Sequence, residues 1–266
     1  EFDKSWMQVK SVKEIVDTPV SEDVSTLIYK TTALVKKVPG NGFVNYYIND
    51  LDEKTGSYTY TQCNGSDFEW LDEAVDGVIA QGVKPWLSLS YGNPLYCGGG
   101  ISLKSAIWTD EPTMKAWRNY VRATVRHYGD RVTAYEIWNE PDGQKANTPA
   151  ILAELIINTA EVIRKENPKA TILALGLASP NISFVKGVLD ILKERNKLHL
   201  IDKVSFHAYY PNPDNATTSI IAFRNTVRSY SNNLDVVQGE SGCPSAYEFG
   251  SAMKYNEWSE YKQAKW

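Results

Sequence analysis

The sequence predicts an α/β fold, and within that class a (β/α)8 barrel, from three observations. Short apolar runs alternate with longer amphipathic ones from Phe43 onward, which is the pattern of βαβ units feeding a parallel sheet. The runs recur about every 38 residues, so eight units need roughly 300 residues, within the usual size of such a barrel. No dinucleotide-type glycine turn opens a helix. Gly98-Gly99-Gly100 follows a strand candidate but leads into a loop, so the nucleotide-binding alternative falls away.

The elements are expected in the following order. Residues 6–16 form a first strand with poor alternation. Ser21 then caps a helix whose stripe is Val24, Leu27, Ile28, Thr31, Leu34, Val35 and Val38, with Glu22 and Asp23 at its positive end. Six clearer strands follow at 43–48, 83–89, 132–139, 170–177, 203–210 and 235–241. Helices separate them at 67–80, 113–128, 149–166, 183–195 and 219–230. Their apolar residues fall at three- and four-residue spacing, as at Leu71, Val75, Val78 and Ile79. Asn181 or Ser183 can cap one helix, and Pro149 suits the first turn of another. Arg118, Arg122 and Arg126 recur every fourth residue and are expected to form a solvated helix face. After Glu240 only a helical start at 256–266 remains, so an eighth strand is expected to be missing. The chain is then one barrel domain over 1–266, truncated at its C-terminus.

Composition narrows the function classes. The 266 residues are 42% hydrophobic and 23% charged, with a net charge of −4. That balance argues against nucleic-acid or anionic-membrane partners, which need concentrated Lys and Arg. No apolar run approaches the roughly 20 residues that span a bilayer. The chain starts at Glu1 and shows no basic-then-apolar leader. A removed signal peptide and an artificial start both fit, and an extracellular or periplasmic location is favoured. Cys63, Cys97 and Cys243 have no C-x-x-C spacing, so free thiols are expected, with a Cys63–Cys97 bridge left open. His127, His199 and His207 are too scattered for a metal cluster, so neither a metal nor a cofactor is expected.

Two strand ends carry the chemistry. The β-branched and aromatic run Val132-Thr133-Ala134-Tyr135-Glu136-Ile137-Trp138 stops at Asn139-Glu140-Pro141, because Pro141 cannot donate to a ladder. Asp235-Val236-Val237-Gln238 likewise delivers Glu240 into a turn holding Gly242 and Pro244. Barrels keep their chemistry at the carboxyl ends of strands. Two glutamates there fit cleavage of a glycosidic bond, one as general acid and the other as nucleophile or base. The 8 Trp, 16 Tyr and 7 Phe offer flat apolar faces that suit sugar rings. Glu136 shares the strand parity of Glu140, and a structural tie to an Arg or Lys is expected for it.

These residues resemble the retaining glycoside hydrolases of clan A, most nearly family 39, over roughly residues 43–240. The likeness is strongest in 50–60, 70–86, Tyr135–Asp142 and Ser205-Phe206-His207-Ala208-Tyr209. The resemblance implies that Glu140 is the acid/base and Glu240 the nucleophile, three strands apart as the clan requires. It implies that Asn139 holds the substrate hydroxyl beside the reacting carbon, and that His207 and Tyr209 line the site and hydrogen-bond the nucleophile. Tyr91 and Asn93, in the loop after the 83–89 strand, are expected to contact sugar. The chain departs from the family at Asn45 and Tyr47, where Arg and His are usual. It departs again at Ser88 in place of Glu, and at Ser241-Gly242-Cys243-Pro244. The implied partner is an oligosaccharide or polysaccharide cleaved at a β-type linkage. A glycan-binding barrel without catalysis, and a transglycosylase using the same glutamates, are the rival expectations.

Overall fold

The computed structural model describes residues 47–51, 58–61, 71–91, 106, 107, 109–245, 253 and 257–266. The expected N-terminal strand and helix, Asn45, Cys63, Asn93 and Cys97 lie outside the described residues. The elements run β1 (Tyr47–Leu51), β2 (Tyr58–Thr61), α1 (Asp72–Ile79), β3 (Leu87–Leu89), α2 (Glu111–Tyr128), β4 (Ala134–Ile137), α3 (Pro149–Glu166), β5 (Thr171–Leu177), α4 (Ile182–Glu194), β6 (Lys203–His207), α5 (Thr217–Arg228), β7 (Asp235–Glu240) and α6 (Glu260–Lys265).

Strands β3 to β7 form one sheet in chain order, every pair parallel. With a helix after each of β3 to β6, this is the arc of a (β/α)8 barrel, as the sequence pattern predicts. The strand expected at 43–48 behaves differently. β1 pairs antiparallel with β2, a strand that the periodicity did not mark. The six residues between them, 52–57, are polar and include Gly56. So short a connection makes a hairpin, whereas a parallel partner needs a crossover of a dozen residues or more.

The three longest helices are each started by their own sequence. Asp110 caps α2 by accepting from the Thr113 amide at 3.2 Å, and Thr148 caps α3 by accepting from the Ile151 amide at 3.3 Å. Asn181, rather than Ser183, caps α4 through the Phe184 amide at 3.1 Å. Pro112 and Pro149 occupy first-turn positions where no N–H is needed.

The core lies between sheet and helices. Leu89, Tyr135, Ile137, Ile172, Val204 and Phe206 face outward onto the apolar sides of α2 to α5, where Leu152, Ile156, Val188 and Phe223 are fully buried. Burial of each such side chain contributes about 1.5–3 kcal/mol. The alternate positions Ser88, Glu136, Ser205 and His207 face the barrel interior.

The arginine stripe is not a solvated face. Arg122 and Arg126 on α2 both bind the Glu166 carboxylate of α3, at 3.2 and 2.7 Å, and Arg118 donates to Asn158 of α3 at 2.9 Å. Four-residue spacing aligns the three side chains along the seam between neighbouring helices. Periodicity alone does not say which face meets water. His127 serves a similar end, bonding Asp72 at 2.9 Å and so holding the start of α1 against the end of α2.

Candidate active site

The chain leaves β4 through a tight, strained path that sets the first carboxylate. Trp138 and Glu140 have φ of 66° and 48°, a region that costs a side chain of this kind about 1–2 kcal/mol. Two backbone hydrogen bonds hold them there. The Trp138 amide donates to the Leu89 carbonyl at 2.9 Å, and the Glu140 amide to the Gly176 carbonyl at 2.8 Å. Pro141–Gly143 then makes a single 3-10 turn, and Asp142 anchors it by accepting from the Ala178 amide at 2.8 Å and from Asn181 Nδ2 at 3.3 Å.

The receiving surface on β5 is a bulge between Ala174 and Leu177. Gly176 sits in it at φ +47°, and a Cβ there would meet the Trp138 carbonyl at 2.8 Å. Ser205 supports the bulge from β6, accepting from the Gly176 amide at 2.9 Å and donating to the Ala174 carbonyl at 3.2 Å.

The second carboxylate ends β7. A register shift between Phe206 and His207 sets His207 opposite Glu240. One oxygen of Glu140, one oxygen of Glu240 and a ring nitrogen of His207 all lie within 4.8 Å of one another. The Glu140 side chain is 24% exposed and that of Glu240 48%, while the His207 side chain is 1% exposed. Both carboxylates therefore open to solvent above a buried imidazole.

His207 Nδ1 is joined to Glu140 Oε1 by a 2.9 Å hydrogen bond and stands 3.6 Å from Glu240 Oε2. The family resemblance placed its bond on Glu240; the structure puts the shorter one on Glu140. Burial lowers the His207 pKa, but the Glu140 hydrogen bond and the charges of Glu240, Glu136 and Glu140 outweigh it and hold it above its ordinary value. Tyr209 lies two residues past the end of β6 and donates its phenol to Glu240 Oε1. Burial first, then the Glu240 carboxylate, raises the Tyr209 pKa, so the phenol keeps its proton.

Asn139 donates from Nδ2 to Tyr91 Oη at 2.9 Å. Tyr91 is buried and stacks edge-on against Trp138, ring centroids 5.8 Å apart. Burial, followed by the nearby charges of Glu140 and Glu240 and opposed by the Asn139 bond, pushes its phenol up to about 12. Tyr91 thus braces Asn139 beside the two carboxylates.

Glu136 departs from expectation. It is 4% exposed and inward-facing, yet among the described residues no Arg or Lys pairs with it and its Oε1 finds no hydrogen-bond partner. Polar and acidic neighbours surround it instead. Sequence reasoning also passed over Asp142, Gly176, Ser205 and Gly239. The inward parity of Ser205 and the Gly-Glu order at 239–240 were the available signals.

Glu140, His207 and Glu240 are also the set, among the described residues, whose donor atoms lie close enough to share a cation, although His207 Nδ1 is already engaged by Glu140. Cys243 is a free, half-buried thiol. No helix among the described residues is long and apolar enough to cross a membrane.

A parallel α/β arc with two carboxylates meeting at its carboxyl rim falls within the barrel class that houses clan A of the glycoside hydrolases. The model of glycosyl hydrolases family 39 matches residues 34–240, and the chain belongs to that family. A probable mannan endo-1,4-beta-mannosidase A from Aspergillus clavatus is 29% identical over 144 residues, covering 51% of this chain and 38% of that protein. Among solved structures, a family 39 glycoside hydrolase from Bacteroides cellulosilyticus WH2 superposes with a TM-score of 0.58 at 20% identity, over 82% of this chain and 44% of the other. A family 39 beta-xylosidase from Caulobacter crescentus gives 0.55 at 20% identity, over 81% and 52%. At such identity these structures speak to the fold. The chain spans about half the length of these relatives or less.

Proposed function

We propose that the chain carries the catalytic centre of a retaining glycoside hydrolase that cleaves β-type O-glycosidic bonds in oligosaccharides or polysaccharides. The observation that carries this reading is the convergence of Glu140 and Glu240, with carboxyl oxygens within 4.8 Å. Retaining enzymes keep the two groups about 5–5.5 Å apart, whereas inversion needs roughly 6.5–9.5 Å to admit a water between them. The family supports glycosidase chemistry, and the names of the mannan-cleaving and xyloside-cleaving relatives support a β-linked substrate.

In the first step Glu240 attacks the anomeric carbon as a carboxylate, and Glu140 gives its proton to the leaving oxygen. The glycosyl ester on Glu240 is then opened by water, whose proton passes to Glu140. His207 engages Oε1 of Glu140, so Oε2 is the oxygen assigned to proton transfer. Tyr209 fixes the Glu240 carboxylate by its donated hydrogen bond. Asn139, braced by Tyr91, is positioned to hold the hydroxyl next to the reacting carbon.

A 2-deoxy-2-fluoro aryl glycoside tests the proposal, since it slows the second step and lets the ester accumulate. Mass spectrometry of a peptide digest should find the sugar on Glu240, and Glu240→Gln should lose turnover by at least about a thousandfold. Wild-type turnover by Glu240→Gln, or a label on another residue, would overturn the assignment. A barrel that only binds glycans forms no adduct at all.

A further inference from the structure

The interior carboxyl of Glu136 is unexplained by the two-step chemistry. It belongs to β4, four residues before Glu140, on the same inward parity as Ser88 and Ser205. It has no cationic side chain from Arg or Lys among the described residues, and burying an uncompensated carboxylate is expensive. Some nearby group has to bear that cost.

Gly239 shows which one. A Cβ at that position would lie 2.9 Å from Glu136 Oε1 and 3.6 Å from His207 Nε2. Both atoms converge on the bare backbone just ahead of Glu240, and only glycine leaves room for them. The ring of His207 has its other nitrogen, Nδ1, on Glu140. The edge carrying Nε2 is turned toward the side where the Glu136 carboxyl sits.

We propose that Glu136 is a positioning residue: its carboxyl, seated over Gly239, acts on the His207 ring by charge rather than by a hydrogen bond and favours Nε2 toward the barrel interior, so that Nδ1 stays directed at Glu140 and Glu240. The electrostatics agree. Burial raises the Glu136 pKa, hydrogen bonds from Ser205 and Trp86 and the charge of His207 lower it, and the Glu240 charge raises it, for a net upward displacement. Among the described residues, the charged groups facing His207 are Glu136 and Glu140 from the β4 segment and Glu240 from β7, and Tyr209 is hydrogen-bonded to Glu240. Glu136 is the one of the three carboxyls that takes no part in bond making. It can therefore keep a steady hold on the imidazole while charge moves between the other two. This deepens the glycosidase reading and rests on it for its catalytic meaning.

The test uses the full chain labelled with 15N-histidine, so that the ring nitrogens of His207 are titrated by NMR without substrate. Glu136→Gln keeps the shape and removes the charge. It should lower the His207 titration midpoint while leaving His127 and His199 unmoved. On an aryl glycoside it should reduce kcat about tenfold with KM within about twofold. Glu136→Asp retains the charge and should recover the higher midpoint. An unaltered midpoint in Glu136→Gln, or identical behaviour of the Gln and Asp variants, overturns the proposal. Should Glu136→Gln fail to fold, Gly239→Ala pushes Oε1 away with its Cβ and must shift the midpoint in the same direction; an unmoved midpoint there also overturns it. A wild-type chain that turns over no glycoside sinks the two-glutamate reading alone, because the NMR arm needs no activity.

Discussion

The Glu140 amide donates to the Gly176 carbonyl at 2.8 Å, so the carboxylate leaving β4 is held by the bulge in β5. Gly176 makes that possible twice over, by its left-handed φ and by the absence of a Cβ that would come 2.8 Å from the Trp138 carbonyl. Gly176→Ala should lower stability by about 2 kcal/mol or more, combining the left-handed cost with a backbone clash. Urea denaturation measures the loss. Turnover of an aryl glycoside should fall as well, because relief of the clash moves the Trp138–Glu140 path. A variant with wild-type stability would mean that the two segments are not in contact.

Tyr209 donates its phenolic hydrogen to the Glu240 carboxylate. Tyr209→Phe deletes the donated hydrogen bond and little else. Removing a preorganised donor from a reacting group commonly costs on the order of a hundredfold in kcat. We expect a loss of roughly tenfold to a hundredfold, with KM nearly unchanged because the phenol is committed to Glu240. Burial and the carboxylate both keep the phenol protonated. The wild-type enzyme should therefore show no alkaline loss from Tyr209 until well above neutral pH, as a pH–rate profile would record.

The parts of this architecture that were legible are those set by local rules. Helix α3 runs over the 149–166 span expected from its periodicity, because Thr148, Pro149 and an unbroken apolar stripe all agree. The placing of Glu140 and Glu240 at strand ends followed from proline and glycine punctuation. What stayed hidden depends on tertiary register. The register shift at Phe206/His207 sets His207 opposite Glu240 while its Nδ1 bonds Glu140, and no spacing rule encodes a one-residue slip in a neighbouring strand. Glu136 was readable as inward-facing, but its partners come from β6 and β7, beyond the reach of any pattern on β4. The seam between α2 and α3 likewise turned three apparently solvated arginines into interhelix ties.

Asp142 joins the turn after Glu140 to the loop leading into α4. Its Oδ1 accepts from the Ala178 amide and its Oδ2 from Asn181 Nδ2, while Asn181 Oδ1 caps α4. Asp142→Ala strands a backbone N–H and loosens that cap residue, a cost of about 1–3 kcal/mol. Chemical denaturation should show the loss. Amide exchange at Ala178 should accelerate more than exchange in α2, which shares none of these bonds. Uniform acceleration would indicate global destabilisation rather than release of this anchor.

Acid should expose the contribution of Asp235 at the start of β7. Its carboxylate accepts from Arg224 at 2.8 and 3.1 Å, from Arg228 at 2.6 Å and from the Val236 amide at 2.9 Å. The Arg224 hydrogen bonds, foremost, hold its pKa well below the usual 3.8. A group whose folded pKa is depressed adds stability above its unfolded pKa and loses it as the pH falls through the folded value. Asp235→Asn should therefore melt below wild type near neutral pH, and the gap should close progressively once the pH drops under 3.8. The cluster is exposed, so added salt should also narrow the gap at neutral pH. A gap that holds constant from neutral pH into strong acid would show that Asp235 acts through shape and hydrogen bonding to neutral groups, and not through its charge.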